Sequence, residues 1–119
     1  MTPIRIEGLK TVTAANTGGH WRKKADRVKK QRAAAMQHVA LWRAHDLLDY
    51  PRPARVHLTR VANRSLDSDN LQSSLKAVRD GVADALGCDD SERAGIEWTY
   101  SQRKHEKPKS YAVEIEVFW

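Results

Sequence analysis

The sequence predicts one small α+β domain, with a mixed or antiparallel sheet of three to four strands and two main helices packed on it. Three observations predict it. Apolar residues recur every three to four positions from His20 to Asp46, with one seven-residue step across Arg32 and no proline or glycine between them. A second helical repeat, Leu71, Leu75, Val78, Val82 and Leu86, follows Asp69. Four short runs alternate apolar and polar side chains, the period of a half-buried strand. At 119 residues there is material for one core, so positions 1–119 are read as a single domain.

In order, Ile4 to Leu9 is the first strand, with Ile4 and Ile6 set against Arg5 and Glu7. Thr11 to Gly19 is small and polar, ends in a glycine pair and reads as a loop. The long helix follows. Its stripe is Trp21, Ala25, Val28, Ala35, Val39 and Trp42. Tyr50-Pro51-Arg52-Pro53 makes a stiff connector, because each proline holds itself and the preceding residue extended. Arg55 to Ala62 alternates as a strand that delivers Asp67 and Asp69 from its C-terminal end. Asp69 is the expected N-cap of the second helix, and Gly87 its stop. Ile96 to Gln102 and Tyr111 to Trp119 are the last strands, joined by a basic turn over Arg103 to Lys109 and expected to form an antiparallel hairpin.

Charge is distributed unevenly. The net charge is +6, but residues 1–64 hold fourteen Lys and Arg against four Asp and Glu, a balance of +10, and residues 65–119 stand at −4. The excess concentrates in the long helix, at Arg22, Lys23, Lys24, Arg27, Lys29, Lys30 and Arg32. These side chains cannot all enter a core. They form either a solvated face or a stripe that follows a phosphate backbone, and seven cations balanced only by Asp26 favour the second. Arg60 and Arg64, near the aspartates, either bind phosphate or pair with acids. No apolar run reaches the ~18 residues of a membrane helix, and the N-terminus lacks a signal-peptide pattern. A cytoplasmic protein with no membrane partner is expected. The single cysteine, Cys88, excludes an internal disulfide and a cysteine-rich zinc site, and the five histidines show no ligand spacing.

The densest chemistry lies at Leu66-Asp67-Ser68-Asp69-Asn70-Leu71 and the later pair Asp89-Asp90. Clustered carboxylates repel one another unless a cation joins them, and all-oxygen donor sets suit Mg²⁺ or Mn²⁺. Such an ion activates water and offsets charge on a phosphodiester. On the helix, Asp69, Ser73, Lys76 and Asp80 share the face opposite the apolar stripe. The alternative is that the aspartates only cap and turn the chain. An EF-hand loop is excluded, since its sixth position would be Gln72 in place of glycine and its twelfth Val78 in place of glutamate.

The run Asp67-x-Asp69-Asn70-Leu71, then Lys76-Ala77-Val78-x-Asp80-Gly81, then Leu86-Gly87-x-Asp89-Asp90 resembles the signature of the RusA-like Holliday junction resolvases. These are Mg²⁺-dependent endodeoxyribonucleases of bacteria, phages and prophages. The resemblance is densest over Leu66 to Asp90 and weaker elsewhere, where Asn16 and His20-Trp21-Arg22 loosely fit a loop before a basic segment. It implies a RusA-like fold, catalytic Asp67, Asp69, Asp90 and Lys76, and a metal site of Asp67, Asp69 and Asp90 with Asp89 as helper. It also implies a homodimer that makes paired cuts in a four-way junction. DNA contacts are expected from Arg22, Lys23, Lys24, Arg27, Lys30, Arg60 and Arg64. One position departs: well-known members carry the lysine four residues after the second aspartate, where this chain has Ser73, and Lys76 comes seven after. Both offsets share a helix face, so a one-turn insertion is inferred. A structure-selective nuclease without junction preference, a non-catalytic basic DNA-binding protein and a partner-binding phage protein are the other classes considered.

Overall fold

The computed structural model describes residues 3–11, 21–46, 53–87 and 95–118, with the side chains of 21–22 and 43–46 excluded. Within them the chain forms β1 (Ile4–Glu7), α1 (Trp21–Asp46), β2 (Arg55–Ala62), α2 (Ser68–Ser74), α3 (Lys76–Ala85), β3 (Glu97–Lys104) and β4 (Ala112–Phe118). The architecture is α+β, a four-stranded mixed sheet in the order β1-β4-β2-β3 with the helices on one face. The connector at 50–52, Asn16 and its loop, Cys88 and the pair Asp89-Asp90 lie outside the described residues.

Alternation decides which face of the sheet is covered. Ile6, Val56, Leu58, Val113, Ile115 and Val117 point to the helices and meet Leu71, Leu75, Val78, Val82, Ala35 and Val39 in one core. The opposite face is polar. His57 lies between Thr99 Oγ1 at 2.6 Å and Ser101 Oγ at 2.8 Å, and Arg5 and Arg103 both reach Glu114. There Glu106 is held down to about 2, first by its own backbone amide and then by Arg5, and Glu7 is lowered by Arg5 and His105.

Three expectations are corrected. The last two strands are not a hairpin. β3 pairs with β2 in parallel, Val56 opposite Trp98, while β4 pairs antiparallel with both β2 and β1. The chain between β2 and β3 carries two helices and crosses the sheet, so the strands it joins run the same way. The second helix is also not continuous. It breaks at Leu75 (φ −99°, ψ 2°), whose amide bonds back to Gln72 and Ser73. The apolar stripe still works across the break, with Leu71, Leu75, Val78 and Val82 all buried. Finally, only the second half of the α1 stripe is buried. Ala35 and Val39 are fully enclosed, but Ala25 is exposed and Val28 is 42% exposed. The predicted stop at Gly87 is present, with φ +70° and its amide on the Asp84 carbonyl at 3.1 Å.

The reason for the half-buried stripe is where α1 touches α3. A Cβ at Gly81 would overlap the Arg32 carbonyl oxygen and come within 2.9 Å of the Ala35 Cβ. Arg32 bonds Asp84 through two nitrogens, at 2.6 and 2.9 Å, which raises its pKa and withdraws it from the basic stripe. α1 is therefore clamped about its middle, at Arg32 and Ala35.

Gly81→Ala would ordinarily gain about 1 kcal/mol of helix propensity. Here overpacking outweighs that gain, and a net loss of roughly 1–3 kcal/mol is expected. Urea unfolding checks this, and an unchanged or raised midpoint would contradict the close crossing.

The pH dependence has a definite sign. Glu7 and Glu106 are lowered in the folded protein, so their stabilisation is present above the unfolded carboxylate pKa and is lost as pH falls through the folded values. Part of the acid destabilisation between about pH 4.5 and 2 should vanish in Arg5→Met, read as a shallower fall in melting temperature over that window.

Candidate nucleic-acid interface

β2 lies inside the sheet and ends at Ala62, and the segment after it carries the aspartates. A double hydrogen bond holds that segment. The Leu66 amide donates to Gln102 Oε1 at 2.9 Å, and Gln102 Nε2 donates to the Leu66 carbonyl at 2.6 Å. A single side chain on β3 thus satisfies both backbone groups of the residue before Asp67. Asp67, not Asp69, is the N-cap of α2. It has an extended backbone (φ −67°, ψ 168°), and its Oδ1 accepts from the Asn70 amide at 3.0 Å. Asp69 falls inside the first turn, and both carboxylates are exposed. The misassignment has a simple cause: Asp67, Ser68 and Asp69 are all good caps, and only the turn geometry selects among them.

The shared helix face survives the break at Leu75. Ser73, Lys76 and Asp80 line one groove of about 330 Å³, facing Lys24, Arg27 and Gln31 of α1. Asp69 is one turn upstream of Ser73 on α2, at the spacing that puts both on one side of the helix. Lys23, Arg27 and Lys30 line a second groove of about 410 Å³ on the other flank of α1, together with Lys10. The predicted basic stripe therefore divides. Lys24 faces the aspartate-bearing helices, Lys23 and Lys30 face the β1 side, and Arg27 serves both. Among the described residues, Lys23, Lys24, Arg27, Lys30 and Lys76 make no ion pair, unlike Arg5, Arg32 and Arg103.

Arg60 and Arg64 have different placements. Arg60 is 5% exposed, and it donates to the Thr11 carbonyl at 3.0 Å and the Arg64 carbonyl at 2.7 Å. Burial lowers its pKa. It ties the end of the β1 segment to the loop before α2 and leaves the surface to Arg64, which is exposed. The Arg22 side chain lies outside the description. Sequence reasoning missed Lys10, which sits over the Tyr111 ring at 5.2 Å. It is far from the helix in sequence, and no periodicity links them.

For a metal, the donor chemistry fits. Asp67 keeps one oxygen beyond its capping bond, Asp69 keeps its carboxylate, and hard carboxylate oxygens suit Mg²⁺. The described residues contain no group of three His, Cys, Asp or Glu placed to hold an ion, and Asp89 and Asp90 lie outside them. Among the described residues no helix is long and apolar enough to cross a membrane. Comparison with known proteins finds no family model, curated protein or solved structure that matches the chain.

Replacing Gln102 by Leu removes both bonds to Leu66 and strands a partly buried amide and carbonyl. A loss of roughly 1–3 kcal/mol is expected, with faster hydrogen exchange at the Leu66 amide. Protection equal to wild type would show that the clamp does not hold this segment.

Proposed function

We propose that the chain is a RusA-like, Mg²⁺-dependent endodeoxyribonuclease that resolves four-way DNA junctions as a homodimer. One observation carries this reading. Asp67 and Asp69 stand exposed at the start of α2, on the segment that follows an interior strand, and the helix face that continues from Asp69 enters a groove lined by Lys24, Arg27 and Lys76. Carboxylates for a hard cation and unpaired cations for a phosphodiester are what metal-assisted phosphate hydrolysis requires side by side. The motif over Leu66 to Asp90 supports the family.

In this reading Asp67 and Asp69 hold Mg²⁺ or Mn²⁺ together with Asp90, and Asp89 assists. The ion, when bound, supplies activation of water and neutralises charge on the leaving oxygen. Lys76 and the Ser73 hydroxyl grip the phosphate from one wall of the groove, and Lys24 and Arg27 grip it from the other. Lys23 and Lys30 extend the contact along α1. A four-way junction has two-fold symmetry, so a two-fold dimer presents equivalent sites to paired strands.

Two substitutions separate charge from fold. Asparagine caps a helix as well as aspartate does, so Asp67→Asn retains the α2 start while deleting a charge, and Asp69→Asn deletes its neighbour. Each should leave the unfolding midpoint nearly unchanged and abolish Mg²⁺-dependent cutting of a labelled junction. Asp69→Asn should leave or tighten junction binding. Lys76→Ala should slow cutting about 10²-fold or more with the carboxylates intact. Symmetric cuts in the junction but not in matched duplex support the full reading, and cuts in every substrate retain the metal site without the junction preference. A second reading has its own observation: Asp67 already works as a cap. Tight binding without cutting in Mg²⁺ and Mn²⁺ would favour that reading, a non-catalytic DNA-binding domain.

A further inference from the structure

The basic turn between β3 and β4 is not used by the groove along α1. Residues 105–111 fold back against the segment that follows β2. Asn63 Nδ2 donates to the Lys107 carbonyl at 3.1 Å, and Asn63 Oδ1 accepts from the Ser110 amide at 3.3 Å. The His105 amide donates to the Ala62 carbonyl at 3.1 Å. The His105 ring is buried, with Nδ1 accepting from the Lys107 amide at 2.9 Å and Nε2 at 2.6 Å from Glu7. Lys109 takes a left-handed backbone (φ 54°), uncommon outside glycine. The turn is anchored at several points, so the cations it carries have set positions.

Two grooves of about 340 and 440 Å³ adjoin there and share Asn63, Arg64 and Lys104. Lys109 lines the far end. Gln102, the clamp on Leu66, lines the near end. Arg64, Lys104 and Lys109 are exposed and make no ion pair among the described residues, whereas the neighbouring Arg103 is held by Glu114 at 2.6 Å. These grooves share no lining residue with those along α1. The segment bearing Asp67 and Asp69 runs between the two surfaces, three residues after Arg64 and four before Ser73.

We infer that Arg64, Lys104 and Lys109 form a second contact surface for a nucleic-acid backbone, so that a strand crossing Asp67 and Asp69 is held by cations on both sides. This rests on the nuclease reading above. Three cations over a polar floor of Asn63, Ser65 and Gln102 suit successive phosphates. No Phe, Tyr or Trp lines the grooves, and the His105 ring at one end is buried, so no ring is open to stack a base and the contact positions the strand without reading its sequence. An acidic protein partner would call for a buried apolar anchor, and the lining supplies only Ala62 and Pro108.

The test is binding of the full chain to a labelled four-way junction and a duplex across a salt series, in EDTA so that no cutting intervenes. The variant is Arg64→Ala with Lys104→Ala and Lys109→Asn, the asparagine chosen because it tolerates the left-handed backbone. All three side chains are exposed, so the fold is not at risk, and circular dichroism checks it. The slope of log K against log salt should fall by about 2 to 3, near 0.9 per lost phosphate contact, with at least tenfold weaker binding. Lys107→Ala, which removes an exposed charge outside these grooves, should change both much less. A triple variant that binds like Lys107→Ala, while wild type binds and cuts, overturns this surface and leaves the nuclease reading intact. Wild-type protein that binds no DNA overturns both.

Discussion

The groove that receives Lys76 exists because position 81 has no side chain. The α1 backbone can rest on α3 only where Gly81 admits the Arg32 carbonyl, and Ala35 with the Arg32–Asp84 pair completes the contact. All of this lies about the middle of α1, at Arg32 and Ala35. Just ahead of it Gln31 is buried and donates to the Lys10 carbonyl at 2.6 Å, and the turns before Gln31 are the exposed ones, with Val28 42% exposed while Val39 is fully enclosed. The space beside Lys24, Arg27 and Gln31 of α1 is bordered by Ser73, Lys76 and Asp80 of α2 and α3. A side chain at 81 would push the helices apart at this close crossing and alter the spacing of both walls. Tight packing at one point thus creates an open, charged groove a turn or two away.

The second constraint acts on the aspartates. An interior strand is bonded along both edges, so β2 gives the chain a well-defined exit at Ala62. Exit position alone does not aim a carboxylate five residues later. Gln102 bonds both backbone groups of Leu66, and Asp67 then caps α2 with one of its oxygens, so the segment is tied to β3 before it and to a helix after it. The parallel pairing of β2 with β3 makes the clamp possible, because it carries Gln102 to the same end of the sheet as Leu66. In an antiparallel hairpin of β3 with β4 alone, Gln102 would have no reason to meet that segment.

The charges also sort by job. Arg5, Arg32 and Arg103 are paired with carboxylates, Arg60 is spent on carbonyl oxygens, and these cations hold elements together. Of the cations without an ion pair among the described residues, Lys24, Arg27 and Lys76 line the groove beside α2 and α3, Arg64, Lys104 and Lys109 line those beyond β2, and Lys10, Lys23 and Lys30 line the far flank of α1. A net charge of +6 is therefore an incomplete guide to where a polyanion would settle.

Periodicity and charge were enough, from the sequence alone, for the α+β class, for β2 at its correct limits, for α1, for the glycine stop at 87 and for the joint face of Ser73, Lys76 and Asp80. These follow from local rules: side chains repeat every two residues in a strand and every 3.6 in a helix, and glycine accepts a left-handed backbone. Strand order was not legible. Alternation in β3 and β4 shows that both are strands but says nothing about partners, and the choice between hairpin and crossover depends on how α2 and α3 cover the sheet. Choosing Asp67 over Asp69 as cap, breaking the helix at Leu75, burying Arg60 and pairing Arg32 with Asp84 were likewise decided in three dimensions. Each depends on what lies across the chain, such as Gln102 opposite Leu66 or the Thr11 carbonyl beside Arg60, and no window of neighbouring residues contains that information.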